Sequence, residues 1–279
     1  MAGIEQFRYD GRHALIVGGA TGMGAAAARI VRDLGATVTV MDYAPVTYDT
    51  DRVIEMDLRD PGSIDHAVDE LSGPVDAVFS AAGIADGPDL MRTNFIGHRH
   101  LLDRLFADGR LGRGSAICFI SSVAGMGWEN DLDRLLDFLS TTDYRSADAW
   151  VKEHEGDGFI HYGFSKQVVN AYVATRAFEL LKQGVRINAI CPGPTDTPLA
   201  RANADLWLTF AQDYRDATGV GVHLPEQMGS AMAFLNSPAA SGISGITLLV
   251  DSGHAMSSLT NAFPPGKPIM DLITGRAKL

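Results

Sequence analysis

Cysteine is scarce in this sequence, with only Cys118 and Cys191 among 279 residues. Each lies within an apolar run that we expect to form a buried strand. No group of Cys and His residues has the spacing of zinc ligands. We therefore interpret both cysteines as reduced core thiols of a cytoplasmic protein, and we expect neither a disulfide nor a metal site.

Positive charge and long hydrophobic segments are also in short supply. The chain has 23 Lys and Arg residues against 34 Asp and Glu residues, a net charge of −11. No basic stripe can meet phosphates, which excludes nucleic acid as a partner. The first ten residues lack an apolar segment, so we expect no signal peptide. Polar residues and Pro238 break the uncharged stretch 227–250, so we expect no membrane span.

What the sequence does contain is a regular alternation of apolar runs and helical patterns. The predicted strands are 13–17, 37–41, 52–56, 75–80, 116–121, 186–191 and 246–250. The predicted helices are 25–34, 61–71, 90–106, 161–181 and 225–235. This alternation predicts an α/β fold, a doubly wound parallel (Rossmann-like) sheet, in a single domain over residues 1–279.

Two segments fall outside the alternation. Residues 126–157 contain nine acidic and three basic residues, with leucines at helical spacing from Leu132 to Leu139 and a second short helix around Trp150. This insertion could be a substrate lid or a surface ornament that covers core. The tail, 257–279, carries three prolines and could pack on a partner subunit or on its own. We expect a homodimer or homotetramer.

A glycine-rich turn follows the first predicted strand. Gly18 permits a tight turn, Gly22 lets the backbone approach a pyrophosphate, and Gly24 lets helix and strand pack closely. The helix that follows offers free N–H groups and the positive end of its dipole to phosphates. A tight turn without a ligand is the simpler interpretation, but strand and helix flank these glycines as nucleotide binding requires.

Acidic and small residues end the next strands. Asp42 ends the second strand, where a carboxylate can accept both ribose hydroxyls of NAD and repel the 2′-phosphate of NADP. Asp57 and Leu58 follow the third strand and could face the adenine. Ala81, Ala82 and Gly83 follow the fourth and leave room for the cofactor. Together with the turn, the predicted NAD contacts are Gly18, Thr21, Gly22, Met23, Gly24, Asp42, Asp57, Leu58, Ala81, Ala82 and Gly83.

Tyr162 and Lys166 are one helical turn apart. A phenol has an unperturbed pKa of about 10, and an ammonium on the same helix face favours the phenolate. The sequence therefore predicts a tyrosine of lowered pKa that can exchange a proton with an alcohol or a carbonyl.

These pieces together resemble the short-chain dehydrogenase/reductase family over residues 12–253. The resemblance implies that Asn94, Ser122, Tyr162 and Lys166 are catalytic. It also implies that Pro192, Gly193 and Thr195, with Tyr162 and Lys166, contact the cofactor. Two family features differ, since Val17 replaces a threonine and Ser80-Ala81 replaces two asparagines.

The spacing between the two predicted catalytic residues Ser122 and Tyr162 is unusual for that family. The family separates them by about a dozen residues, whereas here the difference is 162 − 122 = 40. The insertion resembles the bacterial subgroup that contains 3α-hydroxysteroid dehydrogenase/carbonyl reductase and coniferyl-alcohol dehydrogenase.

The resemblance implies hydride transfer between NAD and a small-molecule alcohol or ketone with a bulky apolar body. Tyr162 would be the acid/base, Lys166 would tune it, Ser122 would bind the substrate oxygen, and Asn94 would hold a water that relays protons. A pocket for a ring system is predicted from Met126, Trp128, Leu199, Trp207 and Phe210.

Two other classes of protein remain as alternatives. A non-catalytic NAD-binding sensor on the same scaffold would be expected to lose Tyr162, Lys166 or Ser122. A serine hydrolase would need His161 or His223 as a base for Ser122, but the Gly-x-Ser-x-Gly elbow is absent.

Overall fold

The computed structural model describes residues 3–277, and its centre is a seven-stranded parallel sheet in the order β3-β2-β1-β4-β5-β6-β7. The strands are β1 His13–Val17, β2 Thr37–Asp42, β3 Arg52–Glu55, β4 Ala77–Ser80, β5 Ala116–Ile120, β6 Arg186–Pro192 and β7 Thr247–Val250. The order reverses between β1 and β4, which opens a crevice at the carboxyl ends of these strands. The predicted doubly wound sheet is confirmed, with strand ends within two residues of the predicted ones.

Helices cover both faces of the sheet. They are α1 Gly22–Asp33, α2 Pro61–Glu70, α3 Gly97–Ala107, α4 Leu132–Leu139, α5 Tyr144–Glu153, α6 Tyr162–Lys182, α7 Pro198–Ala202, α8 Ala204–Trp207, α9 Gln212–Thr218, α10 Pro225–Asn236, α11 His254–Leu259 and α12 Lys267–Ile273. A π-helical turn, Arg92–Ile96, leads into α3, so the predicted helix 90–106 is present and contains one π turn. No helix among residues 3–277 combines the length and apolarity needed to cross a bilayer.

Alternation along the strands divides the core into two layers. Leu15 and Val17 of β1 point to the layer that α2, α3 and α6 cover. Ala14 and Ile16 point to the layer under α1 and α10. Because both faces of each central strand are buried, these strands are mostly apolar, as expected of a parallel sheet. Both cysteines lie here, on β5 and β6, buried and with free thiols.

One side of the insertion packs into the core. Phe138 of α4 is fully buried, and its ring lies 5.7 Å from that of Phe95, 6.3 Å from that of Phe164 and 5.0 Å from that of Trp150. Leu136, on the opposite side of α4, is 41% exposed. The predicted one-sided helix is confirmed, and its apolar side packs on α6.

The tail packs on its own chain, one of the two predicted alternatives. Met270 of α12 is fully buried, and the side-chain amide of Asn130 in the insertion donates to the carbonyl oxygen of Thr274 at 2.7 Å. The tail and the insertion are therefore in contact, although 144 positions separate these two residues.

Candidate active site

The glycine turn sits directly against the turn that follows β4. Gly18 has a φ of +81°, and a Cβ there would overlap the backbone of Ala82. A Cβ at Gly24 would overlap the carbonyl oxygen of Gly18. Only glycine fits either position, so the predicted close packing of helix and strand is found. Two strand ends are thereby brought together at the point where the strand order reverses.

A cleft of about 280 Å³ opens beside this turn. It is lined by all eleven predicted NAD contacts of the first four strand ends: Gly18, Thr21, Gly22, Met23, Gly24, Asp42, Asp57, Leu58, Ala81, Ala82 and Gly83. Among the described residues, the side chain of Thr21 makes no capping hydrogen bond to the first turn of α1. The N–H groups at the start of this 12-residue helix are thus left for an anion, which fits a pyrophosphate.

Asp42 is held rigidly at the cleft. One carboxylate oxygen accepts from the N–H of Ala20 at 2.8 Å and the other from the N–H of Ala44 at 2.9 Å. A carboxylate has about four acceptor positions, so each oxygen keeps capacity for a ribose hydroxyl. The bond from Ala20 joins the end of β2 to the glycine turn, and the bond from Ala44 is local to the segment after β2.

Arg59 is a cleft residue that the sequence reasoning missed. Its guanidinium forms a paired contact with the carboxylate of Asp57, with a shortest distance of 2.6 Å, and lies 5.5 Å from the ring centroid of Tyr43. The hydrogen bond from Arg59 lowers the pKa of Asp57. In the sequence, the signal for this pair is an acidic and a basic residue two positions apart after a strand. Because Asp57 pairs with Arg59, the positive charge of Arg59 at this end of the cleft is compensated.

A second, more apolar cavity of about 340 Å³ adjoins the cleft. The two share Met23, Ala81, Gly83, Ile84, Thr197 and Leu199 as lining residues. Ser122, Tyr162 and Lys166 line the second cavity together with Pro192, Gly193 and Thr195. The structure therefore brings these six predicted residues to the wall next to the nucleotide cleft.

Ser122 and Tyr162 approach each other from different elements. Ser122 follows β5, and its Oγ accepts from the N–H of Ala124 at 3.1 Å, so it also caps the short turn after the strand. Tyr162 is the first residue of α6. Burial raises the pKa of Tyr162 to about 12, and its hydrogen bond with Ser122 offsets only part of that rise.

Lys166 lies one turn further along α6. Its side chain is 3% exposed, and Nζ donates to the carbonyl oxygen of Ile120 at 3.0 Å, 5.5 Å from the ring centroid of Tyr162. Burial lowers the pKa of Lys166 to about 8. The predicted lowering of the Tyr162 pKa is therefore wrong for the polypeptide on its own, because burial outweighs the hydrogen bond with Ser122.

Asn94 lies in the π-helical turn and is 2% exposed. Its Oδ1 accepts from the N–H of Ile84 at 2.8 Å, and its Nδ2 donates to Ser165 Oγ at 3.0 Å. The side chain thus ties the turn after β4 to α6, beside Lys166. Single π turns are frequent at functional sites. The predicted water-holding role of Asn94 stays a prediction.

Thr195 is a buried lining residue of the cavity, and its hydroxyl donates to the carbonyl oxygen of Gly193 at 2.9 Å. The hydroxyl oxygen keeps its acceptor capacity for a carboxamide N–H. This geometry is compatible with the predicted contact to a nicotinamide amide.

Three of the five residues predicted for the ring pocket line the cavity. Leu199, Trp207 and Phe210 line the cavity, and the ring centroid of Trp207 lies 4.8 Å from that of Tyr162. Among the described residues Met126 and Trp128 do not line it. The backbone turns at Gly127, with a φ of +72°, and Trp128 packs against the core beside α6. Leu206 and Ile273 line the cavity instead, and the sequence analysis had placed neither there.

The predicted hydrolase bases are engaged elsewhere. His161 caps α6 by accepting from the N–H of Phe164 at 3.2 Å. The ring of His223 contacts the carbonyl oxygen of Pro194 and, at 2.9 Å, the hydroxyl of Ser252. Within residues 3–277 neither ring forms a hydrogen bond with Ser122, so the geometry gives no support to a serine hydrolase.

Comparison with known proteins agrees with this architecture. A family model described as short chain dehydrogenase matches residues 12–131, and one described as Enoyl-(Acyl carrier protein) reductase matches residues 144–255. Between them the two models span most of the chain and leave part of the insertion unmatched.

Two curated relatives match at modest identity. The chain is 27% identical over 248 residues to coniferyl-alcohol dehydrogenase of Pseudomonas sp. (strain HR199 / DSM 7063), covering 86% of this chain and 95% of that one. It is 29% identical over 257 residues to 3-alpha-hydroxysteroid dehydrogenase/carbonyl reductase of Comamonas testosteroni, again covering 86% and 95%.

A solved structure shares the fold. Gluconate 5-dehydrogenase from Burkholderia cenocepacia J2315, in complex with NADP and tartrate, superposes with a TM-score of 0.66 at 23% identity, covering 89% of this chain and 97% of that one.

Proposed function

Because the chain belongs to the short-chain dehydrogenase/reductase family, we propose that it transfers a hydride between NAD and the alcohol/carbonyl pair of a bulky apolar substrate. The single observation that carries this proposal is the position of Tyr162. Its side chain stands at an apolar cavity that adjoins the nucleotide cleft, next to Ser122 and Lys166.

NAD is proposed over NADP because of Asp42. Its fixed carboxylate is placed to accept ribose hydroxyls and to repel a 2′-phosphate. Arg59 is the basic side chain at the described cleft, and its charge is compensated by Asp57. A phosphate would have to compete with that carboxylate.

Tyr162 is the proposed acid/base. When bound, the nicotinamide accepts or supplies the hydride. The Tyr162 hydroxyl exchanges a proton with the substrate oxygen, and Ser122 donates a hydrogen bond to that oxygen as its charge grows. With a pKa of about 8, Lys166 is mostly charged at neutral pH, and its charge favours the phenolate. We assign Asn94 to the proton path from Lys166 to solvent.

The substrate is proposed to carry an apolar ring. Trp207, Phe210 and Leu199 line the same cavity as Tyr162. The two curated relatives are named for an aryl-substituted allylic alcohol and for 3α-hydroxysteroids. Both of these alcohols contain a rigid ring system, and an apolar cavity wall of this kind suits such a ring.

The experiment measures initial rates of NAD reduction with coniferyl alcohol and a 3α-hydroxysteroid side by side. Tyr162→Phe should lower kcat roughly 10²–10⁴-fold. Tyr172→Phe is the matched control, because this tyrosine lies on the same helix but packs in the core against Phe95. Near-normal turnover by Tyr162→Phe would refute the assignment. NAD binding without turnover of either alcohol by the wild type would favour the sensor.

A further inference from the structure

The tail contributes one side chain to the cavity of Tyr162. That residue is Ile273, the last residue of α12. Within the described residues 211–277, no other residue lines this cavity. On the same helix Met270 is fully buried, whereas Leu272 is 64% exposed. Helix α12 therefore has a defined inner side, and Ile273 is placed by the way that helix docks.

The insertion holds the end of this helix. The Nδ2 of Asn130 donates to the carbonyl oxygens of Thr274, at 2.7 Å, and of Gly127, at 2.9 Å. Thr274 is 5% exposed. One side-chain amide thus joins the insertion to the residue that directly follows Ile273.

Two glycines make this junction tight. A Cβ on Gly127 would come within 2.6 Å of the Thr274 backbone, and a Cβ on Gly275 within 2.9 Å of Asn130 Nδ2. Both glycines have positive φ, +72° and +65°. Small displacements of the insertion would therefore be transmitted to the tail, since no slack separates the two segments.

We propose that Ile273 is a specificity-determining residue for the ring of the substrate, and that Asn130 is the residue that positions it. The insertion then acts on substrate choice at a distance, by fixing the tail, although none of its described residues lines the cavity. This inference rests on the proposed function only for the identity of the cavity as the substrate site.

The test measures binding rather than turnover. Affinities of the NAD-loaded enzyme are measured by calorimetry for two ketones, androstane-3,17-dione and cyclohexanone, which cannot react because both partners are oxidised. A steroid is several times larger than cyclohexanone, so it should contact more of the cavity wall, including Ile273. The readout is the ratio of the two affinities, with the affinity for NAD measured in parallel.

Ile273→Ala should lower the steroid-to-cyclohexanone affinity ratio about tenfold, since apolar pocket contacts discriminate by such factors. Ile273→Val should give a smaller loss and serves if the alanine variant is unstable. Leu272→Ala is the control, because its side chain faces solvent. NAD affinity should stay unchanged in all three.

Asn130→Asp removes both amide donors at constant shape and should lower the same ratio about threefold, a factor worth less than one typical hydrogen bond to a carbonyl. Asp131→Asn is the control. It exchanges the same two residue types in the opposite direction at the next position, and it should leave the affinity ratio unchanged. An unchanged ratio in Ile273→Ala and Ile273→Val, or a wild type that binds neither ketone, would overturn the inference.

The measurements distinguish a failure of the proposed function from a failure of the inference about Ile273. A wild type that binds the ketones as expected but oxidises no alcohol would refute the proposed function and leave the role of Ile273 standing. A wild type that oxidises alcohols while its variants keep the same affinity ratio would refute only the inference about the tail.

Discussion

The Nζ of Lys166 lies 5.5 Å from the ring centroid of Tyr162 and donates its hydrogen bond to the carbonyl oxygen of Ile120 instead. In this arrangement the amine can act on the phenol only through its charge, and burial is the largest influence on the Tyr162 pKa. Burial acts on both groups in opposite directions, raising the pKa of Tyr162 and lowering that of Lys166.

Removing the buried amine should stabilise the protein near neutral pH. Below pH 8 Lys166 is charged in the folded and unfolded states, so folding carries the full cost of desolvating it. Between pH 8 and 10.5 the unfolded chain holds a proton that the folded chain has released, and wild-type stability rises with pH. The advantage of Lys166→Met should thus be about 3 kcal/mol larger at pH 7 than at pH 10.5.

Urea unfolding at the two pH values measures this difference. Lys182→Met is the control, since that side chain is 61% exposed near the end of the same helix. A stability difference between Lys166→Met and wild type that does not change with pH would contradict the expected desolvation.

Replacing Gly18 should disrupt folding and cofactor binding together. Gly18→Ala adds backbone strain of about 1–2 kcal/mol at positive φ and, in addition, an overlap with Ala82 of about 1–3 kcal/mol. Gly73→Ala is the matched control, with a φ of +71° and open space around it, so it carries the strain alone. Denaturant unfolding and NADH titration compare them, and equal losses of stability would show that the close contact with Ala82 is not limiting.

Exchanging Asp42 for asparagine should relax the choice of cofactor. Asp42→Asn keeps the shape and one acceptor oxygen while it removes the charge that opposes a 2′-phosphate. We expect the preference for NADH over NADPH to fall about tenfold, or about 1.4 kcal/mol. Fluorescence titration with both reduced cofactors measures it without any substrate. A wild type that prefers NADPH would contradict the assignment.

Truncating Phe138 should lower the stability of the whole protein, and not only that of the insertion. The ring is fully buried against rings from α6 and the turn before α3, so Phe138→Ala should cost about 3–5 kcal/mol of global stability. Leu136→Ala, on the exposed side of α4, should change stability by about 0.5 kcal/mol or less. If Phe138→Ala left the unfolding midpoint unchanged, the insertion would be an ornament after all.

The nucleotide cleft could be predicted from the sequence because its parts are local. A strand, a glycine turn and a helix are contiguous in the chain, and Asp42 follows directly from the next strand end. In a parallel sheet the carboxyl ends of neighbouring strands meet at one edge, so residues after four strands could be assigned to one site.

The remainder depended on tertiary packing. The direction of the Tyr162 pKa shift follows from burial, which spacing along a helix does not reveal. Trp128 was predicted for the pocket because it is near Ser122 in sequence, but one left-handed residue, Gly127, redirects the backbone toward the core. Ile273 reaches the cavity only through the docking of a distant helix.

The two buried cysteines can report on the opening of the sheet around them. Burial raises the pKa of Cys191 to about 11 and that of Cys118 higher still, so thiolate is nearly absent from the folded protein at neutral pH. Alkylating reagents then modify these thiols only when strands β5 and β6 are exposed. The rate of thiol labelling under native conditions therefore measures how often the sheet opens, and the measurement needs no substrate, cofactor or denaturant.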